Sequence, residues 1–209
     1  MNYGVKFNDK HSYKDFGLIM QKVSIGMPKV KTEIVDIPGA DGSKDLSEAL
    51  AGRPLYGNRE IDIALVSPHQ RHDWLQMISR LANFIHGKSI RVVFDADPDY
   101  YYKGRCSVEK FDSGEMLPDV SVKISAEPYK VSERTKLVQA SGSTYIGFDR
   151  SKNITVTEIV PSTSGMSYTV DRKSNSLSSG VNKVKIKLDG QMQVSGYGKV
   201  EIKYEEREI

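Results

Sequence analysis

Val120, Val122 and Ile124 alternate with Ser121, Lys123 and Ser125. A period of two sends successive side chains to opposite faces of a pleated strand, so this segment belongs in a sheet with one dry face. Phe16 to Ile25, Val30 to Ile37, Tyr56 to Val66, Ser89 to Phe94 and Tyr100 to Phe111 are β-rich runs that extend the series. The period changes once, in "SPHQRHDWLQMISRLANFIHGK". There Trp74, Ile78, Leu81 and Ile85 recur at helical steps, with Leu75 and Ala82 widening the stripe on one side and Met77 and Phe84 on the other. Ser67 can cap, Pro68 suits the first helical position and Gly87 the place after the last turn. A helix over about 68–86 is expected, lying across a sheet with Trp74, Leu75, Ile78, Leu81 and Ile85 as its core face. The chain therefore reads as mainly β with one amphipathic helix.

Near Glu127-Pro128-Tyr129-Lys130 the texture shifts. From Thr135 onward Ser, Thr, Gly and Val dominate, and turns such as Ser164-Gly165, Ser179-Gly180 and Asp189-Gly190 recur at sandwich-like spacing. The 209 residues divide on this reading into two β domains, 1–130 and 131–209.

The net charge of +3 does not point to nucleic acid. Lys183, Lys185 and Lys187 alternate with Val184, Ile186 and Leu188, the wet face of a half-buried strand, and no aromatic lies between Tyr168 and Tyr197 to stack a base. No apolar run approaches the ~18 residues of a membrane span. Met1-Asn2-Tyr3-Gly4 lacks the basic-then-apolar start of a signal peptide, which predicts a product made and retained in the cytoplasm. The single cysteine, Cys106, excludes an internal disulfide or a cysteine-rich zinc site and reads as an ordinary strand residue.

The search for chemistry ends on spacing. Gly39-Ala40-Asp41-Gly42-Ser43-Lys44 has the wrong intervals for a phosphate loop, and Asp41 would repel the phosphate. Asp95, Asp97 and Asp99 resemble the start of a calcium loop, but Tyr100 holds the sixth place and Cys106 the twelfth. An Asp-Pro turn between strands explains them better. His69 and His72 lie one turn apart with no third ligand on that face, and His11 and His86 stand elsewhere. No Gly-x-Ser-x-Gly elbow exists. No catalytic residue, metal or cofactor is expected.

A resemblance does emerge from the order of several short pieces. Asn8 to Leu18 ("NDKHSYKDFGL") is followed by Ile37-Pro38-Gly39-x-Asp41-Gly42, then Asp45-Leu46-x-Glu48-Ala49-Leu50, then Tyr56-Gly57-Asn58-Arg59 running into a strand. Together they resemble the N-terminal domain of the distal tail proteins of long-tailed phages of Gram-positive hosts, their prophages and phage-tail-like particles. The likeness covers roughly the first 125 residues. It implies an N-terminal β-sandwich with a helix that assembles as a homohexameric ring, and a smaller galectin-like C-terminal β-sandwich facing outward. It also implies a virion component at the distal end of the tail. There the ring would join the tail tube protein to the tip hub or tail-associated lysin, leave a channel, and in many members anchor receptor-binding proteins.

From the residues alone, the Gly39–Gly42 loop is either a plain turn or a subunit contact, since both glycines permit positive φ and Asp41 can bond its own backbone. The resemblance favours contact and marks Ile37, Pro38, Gly39, Asp41, Gly42, Tyr56, Gly57 and Asn58 as the oligomer interface. The competing reading is a carbohydrate-binding module in which Tyr100, Tyr101 and Tyr102 stack on sugar.

Overall fold

A computed structural model describes residues 4–49, 51–68, 73–112 and 119–209. The chain packs as two compact units, residues 1–130 and 131–208. The division falls inside a strand, so no Pro- or Gly-rich linker marks it.

The first unit contains β1 (Val5–Phe7), β2 (Lys10–His11), α1 (Ser12–Phe16), β3 (Ile19–Ile25), β4 (Val30–Lys31), β5 (Ile34–Asp36) and β6 (Ser43–Asp45). It continues with β7 (Leu55–Tyr56), β8 (Arg59–Val66), α2 (Trp74–Ile85), β9 (Ser89–Phe94), β10 (Tyr102–Asp112) and β11 (Asp119–Ala126). Seven strands form one antiparallel sheet in the order β2-β1-β9-β10-β11-β8-β3. Register follows the alternation: Ile61 and Ile63 of β8 stand opposite Ile124 and Val122 of β11, and all four are buried. Met77, Leu81 and Ile85 of α2 join the same core as these residues and Val92, Phe94 and Cys106. Fully burying a side chain such as Leu81 or Ile85 stabilises the fold by about 1.5–3 kcal/mol.

The second unit comprises β12 (Lys130–Gly147), β13 (Asn153–Pro161), β14 (Ser167–Val170), β15 (Lys173–Ser176), β16 (Asn182–Leu188) and β17 (Gln191–Glu208). Its sheet runs β15-β14-β17-β13-β16, with β12 also on β17. Ile154, Val156 and Ile159 of β13 share a core with Met192, Val194, Val200 and Ile202 of β17. Both units are mainly β, and the fold agrees with β-sandwich architecture carrying a small helical part.

Three expectations about elements need correction. Leu75 is 71% exposed and is no part of the helix core face. It sits about 100° round the axis from Trp74, whereas Trp74, Met77, Leu81 and Ile85 form the buried line and Ile78 packs beside it. The stripe is thus centred on the Met77 side, and Leu75 falls beyond its rim. The α-helix begins at Trp74, and the expected first turn lies partly in residues 69–72, outside the described residues along with His69 and His72. Finally, Phe16 does not open a strand but closes α1, a second helix that the sequence reading passed over.

The cap explains why α1 escaped notice. His11, a residue without strong capping preference, supplies it: Tyr13 and Lys14 donate their backbone N–H groups to Nδ1 at 3.0 and 3.3 Å. His11 N–H in turn donates to the Asp15 carboxylate at 2.7 Å. Nδ1 therefore holds the lone pair and Nε2 the proton, which is donated to Asp95 at 3.0 Å. Gly4 N–H also donates to Asp95, and a Cβ on Gly4 would overlap the His11 ring. Replacing His11 with alanine removes the cap and the Asp95 contact together. A loss of about 1–3 kcal/mol is expected, read as a lower urea midpoint. An unchanged midpoint would show that the ring contributes nothing to α1.

Candidate interaction surface

Between β3 and β8 the chain leaves the sheet as an arm. Gly26 N–H donates to Glu60 C=O at 2.8 Å, so the arm departs and returns at neighbouring points. Its root is the β4·β7 ribbon, pairing Val30 with Tyr56 and Lys31 with Leu55. Its tip is the β5·β6 hairpin, pairing Ile34 with Asp45, Val35 with Lys44 and Asp36 with Ser43. Backbone groups find partners along it: Leu46 N–H donates to Glu33 C=O at 2.8 Å and Gly57 N–H to Lys29 C=O at 2.8 Å.

No described residue between Pro28 and Arg59 is buried. Yet Met27 is 78% exposed, Ile34 63% and Val30 54%, with Val35, Ile37, Leu46 and Leu55 also open. A two-stranded ribbon is at best marginally stable in water without something packed on its apolar side. Seven large apolar side chains of this arm therefore face solvent in the single chain.

The expected interface residues separate into two groups here. Ile37, Pro38, Gly39, Asp41 and Gly42 form the exposed turn at the tip, where Gly39 and Gly42 have φ of +82° and +76°. No atom stands within 4 Å of where a Cβ would be on either glycine, so the backbone conformation alone calls for them. Tyr56, Gly57 and Asn58 lie at the root. Tyr56 meets Tyr129 edge-on at 6.0 Å between ring centres, and Asn58 Nδ2 donates to Ser125 Oγ at 3.4 Å. Arg59 then enters the sheet buried, donating to Pro128 C=O with its guanidinium over the Tyr102 ring. Sequence reasoning missed Met27, Val30, Ile34, Val35, Leu46 and Leu55 as surface residues. Their alternation with polar neighbours looks the same whether the apolar face meets its own core or a partner.

The other singled-out groups are held in place by their surroundings. Both nitrogens of His11 are engaged, leaving neither as a free base. Asp97 pairs with Lys130 at 2.8 Å, and the turn from Asp95 closes with Asp97 N–H on Phe94 C=O. Among the described residues no group of three or more His, Cys, Asp or Glu is placed to hold a metal. Burial pushes the Cys106 thiol up to about 12, which keeps it a neutral core group. Tyr100, Tyr101 and Tyr102 each carry a cation against the ring: Lys130 at 4.2 Å, Arg91 at 4.6 Å and Arg59 at 5.3 Å. A sugar stacks on an open aromatic face, and each of these rings already carries a cation on one face. No helix among the described residues is long and apolar enough to cross a membrane.

The fold is shared with a solved phage Dit protein, in keeping with the resemblance carried by the N-terminal pieces. The chain is similar to the crystal structure of the SPP1 Dit protein (gp 19.1), described as a paradigm of the hub adsorption apparatus in phages infecting Gram-positive bacteria. The two agree with a TM-score of 0.69 at 15% identity, covering 99% of each chain. A conserved protein of unknown function from Pseudomonas aeruginosa PAO1, PA5104, is similar only at a TM-score of 0.26 and 10% identity, covering 90% of this chain and all of that one. No family model and no curated protein matches the sequence.

Proposed function

We propose that this chain is a structural, non-enzymatic component of the distal end of a phage tail or phage-tail-like particle. Six copies close into a ring through residues 1–130, which joins the tail tube protein to the tip hub or tail-associated lysin and leaves a central channel. Residues 131–209 form the outward-facing galectin-like domain, on which receptor-binding proteins can be anchored. No cofactor, membrane insertion or specific nucleic-acid contact is part of this role.

The observation that carries the reading is the arm: backbone-paired, rich in apolar side chains, and with no buried residue between Pro28 and Arg59 among those described. The fold shared with SPP1 Dit supplies the context. A ring of one chain needs a head-to-tail contact whose rotation closes, and an arm reaching a different surface of the next copy meets that need. The tip residues Ile37 to Gly42 make the contact; Tyr56, Gly57 and Asn58 fix the direction in which the arm leaves.

Light scattering of the purified protein over a concentration series is expected to show a species of six times the chain mass, ring-shaped in negative stain. A strict monomer at the highest soluble concentration would end the proposal.

A further inference from the structure

The arm is divided electrically as well as structurally. Residues 33–48, the tip, contain Glu33, Asp36, Asp41, Asp45 and Glu48 against Lys44 alone, a net charge of −4. The root segments, residues 26–32 and 49–58, contain Lys29, Lys31 and Arg53 and no acid, a net charge of +3. Among the described residues none of these groups is in a salt bridge. Asp36 and Asp45 accept hydrogen bonds from Ser43 and Ser47 instead, and the Ser47 bonds hold the Asp45 carboxyl below its usual range, in its charged form. Arg53 reaches only the Tyr129 hydroxyl, at 3.3 Å. Opposite charges have thus been sorted to the two ends of the exposed arm and, among the described residues, left out of any ion pair.

We propose that the arms of consecutive copies overlap head to tail, the acidic β5·β6 hairpin of one chain seated on the basic β4·β7 ribbon of the next. This contact rests on the ring reading above and names the surface that reading leaves open. Each side offers apolar area, Ile34, Val35 and Ile37 from the tip and Met27, Val30 and Leu55 from the root. Burying that area supplies the affinity. The charges choose the arrangement. Tip on tip or root on root, the two symmetric pairings, brings like charges together, and like-charge juxtaposition suppresses a pairing at an interface. Tip on root is the arrangement of favourable sign, and it is heterologous, the type that generates rings. Exposed ion pairs add little affinity of their own, so their effect here is on register and partner choice.

The test is a charge exchange in trans. One variant reverses the tip (Glu33→Lys, Asp41→Lys, Glu48→Lys); the other reverses the root (Lys29→Glu, Lys31→Glu). All five side chains are exposed and outside any salt bridge, so both variants should keep the wild-type circular dichroism and urea midpoint. Each alone should lose assembly under conditions where wild type forms rings. Mixed in equal amounts they should regain it, because a positive tip then meets a negative root and a negative tip a positive root around an alternating ring. Native mass spectrometry would read that strict alternation directly. Variants that still assemble alone, or a mixture that does not recover, would overturn the overlap while leaving the ring reading intact. A wild-type protein that stays monomeric throughout would remove both.

Discussion

Gly104→Val is expected to cost roughly 3 kcal/mol or more, the upper end of overpacking effects, and to lower the urea midpoint of the unit formed by residues 1–130. Gly104 lies in β10 between Ile90 of β9 and Ala126 of β11, at the middle of the seven-stranded sheet. A Cβ there would stand 2.7 Å from both Ala126 Cα and Ser125 O, and 2.8 Å from Ile124 Cγ2. Two of those atoms are backbone of the neighbouring strand, so no rotamer change relieves the contact. The strands must part, and the ladder bonds between β10 and β11 lengthen with them. The consequence reaches the arm, because β11 is the strand that holds β8, and β8 receives the returning end of the arm. Gly147→Val serves as the control: Gly147 is exposed, ends a strand, and has no atom within 4 Å of its would-be Cβ. That change should stay within about 0.5 kcal/mol. Equal shifts for the two variants would refute the close-approach argument.

The sheet was legible because alternation records burial. Ser89–Phe94 is the strand β9 as read, and Val120 to Ala126 lies within β11, since each presents one face to the core built under α2. The helix was legible in its stripe but not in its rim, because an apolar residue at a flank position such as Leu75 costs the folded chain little when it faces water. Contacts between distant residues left no local trace. Asp95 reads as part of a turn, and nothing in the sequence tells that His11, 84 residues away, closes on it and caps a helix. For the candidate surface, the glycine-rich turn at the tip was visible through Gly39 and Gly42. The apolar ribbon behind it was visible only as "strand". Val30 to Ile37 carries β-branched residues in alternation, and a periodicity argument assigns their dry face to the chain's own core. The structure instead divides the run into β4 and β5 and leaves both open. Alternation tells which side chains avoid water, not whose surface shields them.

Removing the arm is expected to abolish assembly while sparing the fold of residues 1–130. The connection can be shortened cleanly: β3 and β8 are antiparallel neighbours with Ile25 opposite Ile61, and Gly26 N–H already bonds Glu60 C=O. Replacing residues 27–57 with Asn-Gly leaves a short turn, Asn-Gly-Asn58-Arg59, between Gly26 and Glu60, within the range of common hairpin loops. The described part of the deleted segment contributes one buried side chain, Pro28. Its contacts with the rest of the unit include the Tyr56–Tyr129 edge and the Arg53–Tyr129 bond. Their loss costs on the order of 1 kcal/mol, offset in part by a shorter loop to close. The urea midpoint should therefore move little. On the ring proposed above, the particle mass should fall from six chains to one, because an interface formed by the arm recurs at every junction and no junction retains it. Light scattering and urea unfolding on the same preparation separate the outcomes. A shortened protein that folds and still forms rings would show that the arm is not the joint, and one that fails to fold would show that the arm stabilises its own chain.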